Sequence, residues 1–499
     1  MITLNAIKNL INKLKREELK SLLKYLRYYQ DSNDESRGKS IQLVEALVAD
    51  PECTSKDIQI SLYGSENYHA FNKLLNRTKD KIYEVLLFDQ NLSKPYYSER
   101  NRVVFDIRKK LVQSEVLFLR GITDDLEKLQ NKIISKAKEY EVYDSLIEAL
   151  HAKQRFMVLQ GGKKTVDLIE KQIEKFEENR RKVQRARNIW TRIGAKINQS
   201  TSPVDYIQEL EQEINVLKEY YSETNSATVG YFYFFLDVEW HQINGLYKEA
   251  EQILKNLLEL IINNVSLYTT ARHGEVLINL SNNEILLRDF NSAISNAKEA
   301  QTYFDFKSVN FDVAREIEFY SRYYNGEVQN AGKLIEEIYN SSRNSNTPFL
   351  YNKRAYLFAC IKTLNGEIVK SNDLLNEVSE IDKDKEGWNL HKRILTIINR
   401  IESNELESAD LKVLSLEKFI KRILKFRHVR KRDVAILRIL LKLINEGFDF
   451  SKVYEQRKRY FELLESNDPD YGWKIKSPEL IIFHEWFKNK IVAKKSIVN

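Results

Sequence analysis

The sequence predicts an all-α protein, a solenoid of helical-hairpin repeats with a period of about 41 residues. Three observations carry that expectation. Only 15 Gly and 6 Pro occur in 499 residues, too few turn residues for a sheet protein of this length. Lys, Glu, Leu and Ile are abundant, and apolar side chains recur at helical spacing along most of the chain. The third observation is a cadence. Gly121, Gly162, Gly245, Gly326 and Gly366 are separated by 41, 83, 81 and 40 residues, or one, two, two and one units within the range of helical repeats.

A chain this long exceeds one compact core, so several domains or a repeat array are expected. Apolar residues make up 42% and charged residues 30%, the balance of a folded chain. Cys53 and Cys360 have no partner motif, which fits a reducing compartment. No apolar run approaches a membrane span, and the first twenty residues form a charged amphipathic pattern unlike a signal peptide. A cytoplasmic location is therefore expected.

Three domains are expected in order. Residues 1–92 read as a helical domain with helices over about 4–29, 38–49, 55–63 and 67–89. Ser65 and Asn67 are candidate caps for the last of these. Its apolar face is Tyr68, Phe71, Leu74, Leu75, Ile82, Val85 and Leu86. The last two helices could form a helix-turn-helix that shows Lys73, Arg77, Lys79 and Lys81 to DNA. The segment holds 14 basic and 13 acidic residues, so a helical cap with water-facing cations is the better reading. Residues 90–98 read as a linker.

Residues 95–405 hold the repeats, seven or so hairpins, with turns expected near 121, 162, 203, 245, 287, 326 and 366. Ser202-Pro203 and Arg288-Asp289 supply the breaks where no glycine stands. Each unit is read as two helices of about 14–18 residues, joined by a short turn. Gly194, Gly230 and Gly274 are placed where successive hairpins join. After Gly245 the residues Ala250, Ile253, Leu254, Leu257, Leu258 and Ile261 keep helical spacing, and Phe290, Ala293, Ile294, Ala297 and Ala300 do so in the next unit.

"GLYKEAEQILKNLLEL" resembles the turn and second helix of a tetratricopeptide repeat. Gly245 and Tyr247 match its turn, and Ala250 its small crossing residue. "RDFNSAISNAKEAQTYF" is similar, with Phe290, Ala293 and Ala300. The resemblance covers about residues 230–380. It departs in the first-helix Trp and Leu-Gly positions, and the period exceeds that family's 34 residues. It implies a peptide-binding groove lined by first helices.

Gly161-Gly162-Lys163-Lys164-Thr165 invites comparison with a phosphate-binding loop. The required first glycine falls at Met157, Lys164 replaces the Ser or Thr, and the preceding residues read as helix rather than strand. An interhelical turn is expected.

Residues 406–499 form a basic C-terminal helical domain. Residues 411–499 hold 21 Lys and Arg against 11 Asp and Glu, so the net charge of +7 is concentrated at this end. Lys421, Arg422, Lys425, Arg427, Arg430, Lys431 and Arg432, with Lys418 before them, are the densest cluster and the candidate anion-binding residues. The bland reading is a solvated face offset by acidic neighbours. Charge reversal at Arg427, Arg430 and Arg432 is expected to leave the fold intact. Asp433 is read as an N-cap and Gly447 as the stop of the helix between them. A second basic run at Arg180, Arg181, Lys182, Arg185 and Arg187 follows Glu174, Glu177 and Glu178, which favours a salt-bridged surface helix.

No motif supports an enzyme. The seven His are scattered. "HEWF" at His484 has Lys488 where a zinc-binding His would stand. No catalytic, metal or cofactor-binding residue is expected. The aromatic run from Tyr231 to Trp240 reads as core, with Tyr233 and Trp240 as candidate partner-binding residues. Asn279 and Asn282, three apart on one helix, are the others, because Asn is a poor helix former and its amide can bond a ligand backbone. The expected function is a non-catalytic scaffold for a protein or peptide. The alternative is a regulator that binds nucleic acid through one basic end while the repeats sense a partner.

Overall fold

The computed structural model describes residues 3–14, 16–28, 35–88, 98–123, 125–160, 162–199, 203–342, 348–380, 384, 387–424 and 429–498. The chain divides into two compact units, 1–102 and 103–499. Every regular element among the described residues is helical.

The first unit contains α1 Leu4–Lys13, α2 Arg16–Tyr28, α3 Glu35–Ala49, α4 Ser55–Tyr63 and α5 Tyr68–Phe88. The single helix expected over 4–29 is two. The backbone turns extended at Leu14, with φ −72° and ψ 137°. A continuous helix would place Lys15 and Glu18 on the side that buries Ile7, Ile11, Leu22 and Leu26; the break lets both apolar faces turn inward. Thr54 and Asp57 form a reciprocal capping box at the start of α4. The Asn67 side chain accepts from the Ala70 amide at 3.1 Å, as expected of a cap. Phe71, Leu74, Leu75, Ile82 and Val85 are buried, while Tyr68 and Leu86 are exposed.

In the second unit, α6 Glu99–Leu119 begins at its boundary. It is followed by α7 Leu126–Glu139, α8 Tyr143–Gln160 and α9 Gly162–Gln199. A 3-10 turn at Pro203–Asp205 leads to α10 Ile207–Thr224, α11 Ala227–Ile243, α12 Tyr247–Asn263, α13 Thr270–Leu287, α14 Phe290–Gln301, α15 Val309–Tyr324, α16 Val328–Ser342, α17 Pro348–Leu364 and α18 Ile368–Glu377. Then come α19 Trp388–Glu402, α20 Leu406–Ile423, α21 Lys431–Asn445, α22 Phe450–Gln456, α23 Lys458–Glu465 and α24 Phe483–Val498.

From α11 onward one turn recurs at near-regular intervals; the same turn also closes α6 at Gly121 and α7 at Glu141. At Gly245 the amide donates to Gln242 O at 3.1 Å and the next amide, Leu246, to His241 O at 2.8 Å. This pair of bonds closes a helix around a residue with positive φ. The same pair occurs at Arg288, Gly326, Gly366, Asn404 and Gly447. Five residues after the first five of these turns stand Ala250, Ala293, Ala331, Ser371 and Ala409, all with 0% exposure. A small side chain there lets the second helix of each pair approach its neighbours closely. Replacing Ala250 or Ala293 by Leu should overpack these crossings and cost about 1–3 kcal/mol in chemical denaturation; a variant pair as stable as wild type would remove this packing register.

The seven expected turns all lie at breaks between helices, yet the repeat is less regular than expected. The recurring turns lie 38 to 43 residues apart, not at a fixed 41. Between Gly162 and Pro203 there is no hairpin but one helix of 38 residues. The reason is its unbroken buried stripe, Ile169, Ile173, Phe176, Asn179, Val183, Ala186, Ile189 and Ile193, which no turn residue interrupts. Gly194, Gly230 and Gly274 lie inside helices and not at hairpin junctions. A Cβ on Gly274 would sit 2.5 Å from the Phe304 ring, and one on Gly230 would sit 2.7 Å from the Tyr221 ring. These two glycines admit an aromatic ring against the helix backbone.

No compact unit begins at the expected boundary of 405. The Asn404 and Gly447 turns continue the pattern into residues 406–499. Those residues belong to the second unit, and Leu480 lies in the same apolar core as α15 and α17. The expected linker at 90–98 lies outside the described residues except for Ser98. Gly161 is outside them too. Gly162 opens α9 with φ +69°, and the element before it is helix α8. Lys163 and Lys164 are exposed on the first turn of α9. The double glycine stands between two helices and not after a strand, so the architecture of a phosphate-binding loop is missing there.

Candidate functional site

The helices preceding the recurring turns are α11, α13, α15, α17, α19 and α21. Three of these, α13, α15 and α17, hold a looped stretch of the same chain, the segment between α23 and α24, which is built of turns and bends with Lys476 at φ +60°. The Tyr323 hydroxyl donates to Leu480 O at 2.9 Å and the Tyr356 hydroxyl to Pro478 O at 2.7 Å. The Tyr324 hydroxyl accepts from the Lys476 amide at 2.8 Å. Trp473 meets the Tyr324 ring edge-on at 5.8 Å. The Lys476 ammonium donates to the Asn282 side chain and lies 5.5 Å from the Tyr320 ring. Beneath it, Glu316 on α15 pairs with Lys353 and, at 3.6 Å, with Arg354 of α17. Burial alone would raise the Glu316 pKa, but Lys353, Arg354 and Lys476 hold it below the usual value. The Tyr323 and Tyr324 hydroxyls titrate far above their usual range, chiefly through burial.

The other side of this segment is fixed by Arg432. Its guanidinium forms a two-pronged pair with Glu479 at 2.5 and 2.8 Å and donates to Leu464 O and Tyr471 O at 2.8 and 2.7 Å. Its amide donates to Asp470 O at 3.1 Å. Arg432 is 2% exposed and Glu479 3%. Glu479 also accepts the Phe483 amide at 2.8 Å at the start of α24. Burial and the Arg432 cation lower the pKa of the adjacent His484.

The basic cluster is therefore not one patch. Arg432 is an interior residue, and its reversal would set one carboxylate against another. The expectation that reversing Arg427, Arg430 and Arg432 spares the fold is corrected on that ground. Arg430 pairs with Asp433 at 3.0 Å and touches His391 at 2.8 Å. Lys431 pairs with Asp470 at 2.5 Å and Lys421 with Glu417 at 2.7 Å. Arg422 lies over the Phe419 ring. Lys425 and Arg427 lie outside the described residues. Asp433 is not the N-cap: α21 begins at Lys431, and Asp433 is buried between His391 and Arg430, which hold its pKa down against burial.

The partner-binding candidates are dispersed. Asn282 meets Lys476. Asn279 donates to Glu275 O in its own helix at 2.8 Å. Tyr233 stacks on Tyr221 of α10 at 6.3 Å, and burial followed by Asp237 raises its pKa to about 12. Trp240 packs edge-on against His241 at 5.0 Å. Most of the aromatic run is core, with Trp190 of α9 stacked on Phe232 at 5.7 Å. The tyrosines that hold the segment between α23 and α24, at 323, 324 and 356, were missed. Their spacing on first helices was visible, but their partner lies more than 120 residues away.

In the first unit Lys73 is exposed, Lys81 pairs with Glu84 at 2.9 Å, and Lys79 lies beside Asp80 and the Tyr83 ring; Arg77 is half-buried. On α9, Lys182 joins Glu178 and Glu223, each at 2.7 Å, and Arg180 joins Asp144 at 3.2 Å. Among the described residues no group of three or more His, Cys, Asp or Glu is placed to hold a metal ion, and no helix is long and apolar enough to cross a membrane.

The architecture defined by these elements is an all-α array of helical hairpins. No family model matches the sequence, and no curated protein matches it. Among solved structures, the apo form of RapI is similar, at 13% identity and a TM-score of 0.43, over 78% of this chain and 98% of that one.

Proposed function

We propose that this chain is a non-catalytic scaffold that binds a protein or peptide on the first-helix face of its second unit. One observation carries the reading. Side chains on α13, α15 and α17 already hold a non-helical segment of polypeptide, and three hydroxyls, from α15 and α17, contact its backbone rather than its side chains. Backbone-directed hydrogen bonds accept many sequences, and apolar contacts such as Trp473 on Tyr324 add selectivity. Stacked hairpins extend such a face by one strip per unit. The neighbouring helix α11 and the middle of α13 offer the next strip, with Trp240 and Asn279. The nucleic-acid alternative draws no comparable support, because Lys421, Arg430, Lys431 and Arg432 each have a carboxylate within the fold.

Photo-crosslinking residues placed at Asn279 and Trp240 test the scaffold reading in the native host. A discrete protein adduct is expected at these positions and not at Lys255, which is exposed on α12. Equal labelling at all three positions, or none, would overturn it.

A further inference from the structure

A cavity of about 270 Å³ lies between α18, α19 and α20. None of the residues that hold the segment between α23 and α24 lines it. Its wall carries four cations, Lys392, Arg393, Arg400 and Lys412, and one carboxylate, Glu380. Lys392, Thr396 and Arg400 follow at i, i+4 and i+8, so they form one stripe on α19. No acidic residue stands on that stripe to compensate them.

The charges do not cancel. Arg393 pairs with Glu380, and Arg400 with Glu405 outside the cavity. Among the described residues Lys392 donates to a neutral acceptor, Val378 O, with the charge of Glu380 acting on it but no ion pair formed. Burial and then the Arg393 charge depress the Lys392 pKa. Lys412 has no ionic or hydrogen-bonding partner among the described residues, and Arg400 Nε is buried without an acceptor. Among the described residues two positive charges are therefore left over, with unmet donors around one polar cavity. At roughly 30 Å³ per water, it has room for about nine waters. That suits a small molecule and excludes a helix or a nucleic-acid duplex.

We propose that this cavity binds a small phosphorylated molecule, with its phosphoryl dianion between Lys392, Arg400 and Lys412. The two-charge excess matches a phosphate ester above its second pKa, near 6. Guanidinium and ammonium groups supply the charge-assisted hydrogen bonds such a group takes. Thr396 and Ser415 on the same wall can meet the hydroxyls of an attached sugar.

The test is thermal unfolding of the full chain at pH 7.5 with ribose 5-phosphate, inorganic phosphate, free ribose or acetate. Ionic strength is held constant with sodium chloride. Ribose 5-phosphate should raise Tm saturably by about 2 °C or more, inorganic phosphate by less, and ribose and acetate not at all. The Lys412→Glu change lies at an exposed position and should leave the circular dichroism spectrum and basal Tm unaltered while abolishing the shift. Lys392→Met should abolish it too. The proposal fails if neither phosphate shifts wild type, if acetate shifts it equally, or if Lys412→Glu retains the full response.

Discussion

Arg432→Met is expected to lower the unfolding free energy by about 3–5 kcal/mol, the cost of breaking a buried ion pair by removing one partner. The Glu479 carboxylate would remain buried without its cation, and Leu464 O and Tyr471 O would lose a donor. The damage should not stay local. Glu479 lies one residue from Leu480 and Pro478, whose carbonyls are held by Tyr323 and Tyr356. Chemical denaturation gives the magnitude, and proteolysis should find new cleavage between residues 466 and 482. The double variant Arg432→Met with Glu479→Leu should recover much of the loss, because no isolated charge is then buried. A stability change under 1 kcal/mol in the single variant would contradict this account of the segment.

Glu284→Gln is expected to stabilise the protein at alkaline pH by up to about 3 kcal/mol, the equivalent of the pKa difference. Glu284 on α13 is buried, and burial raises its pKa to about 7; Asp289 and Glu251 add to the rise, and hydrogen bonds from Asn296 at 2.7 and 2.9 Å oppose it. The folded state thus binds this proton more tightly than the unfolded chain. Stability from this group is complete below about pH 4.5, declines as pH rises, and is lost above about pH 7. Wild type and variant should therefore have similar stability near pH 4.5 and diverge by pH 8. A constant difference across that range would show that the carboxyl does not titrate there.

Much of the fold could be read from local sequence, because helix ends and small crossing residues are local devices. Gly245, Gly326 and Gly366 marked turns with positive φ, and Ala250 and Ala293 marked close crossings. Arg288, expected as a break beside Asp289, takes the left-handed conformation without being glycine; Asn404 does the same and was not among the expected turns. A cadence of glycines also implied a hairpin within 162–203, where the unbroken apolar stripe of α9 was the stronger signal. The candidate site was less legible. Arg432 and Lys431 are adjacent in sequence, yet one is interior and the other exposed, and linear charge density cannot separate them. Glu479 lies 47 residues from Arg432, and Lys476 lies 194 residues from Asn282. The pocket stripe at Lys392 and Arg400 has helical spacing, but its meaning depends on Lys412 from the next helix. The peptide-binding expectation was placed on Asn279, Asn282, Tyr233 and Trp240; of these, Asn282 touches the segment between α23 and α24.

The central claim is that side chains on α15 and α17 hold a non-helical stretch of polypeptide through its backbone. Amide hydrogen exchange at Lys476 tests it most directly, because this amide lies outside any helix and donates to the Tyr324 hydroxyl. In wild type it should exchange slowly, and in Tyr324→Phe, which keeps the ring and removes only the acceptor, it should exchange at least tenfold faster while helix amides in α15 stay protected. Fast exchange at Lys476 in wild type, or an unchanged rate in the variant, would contradict the claim.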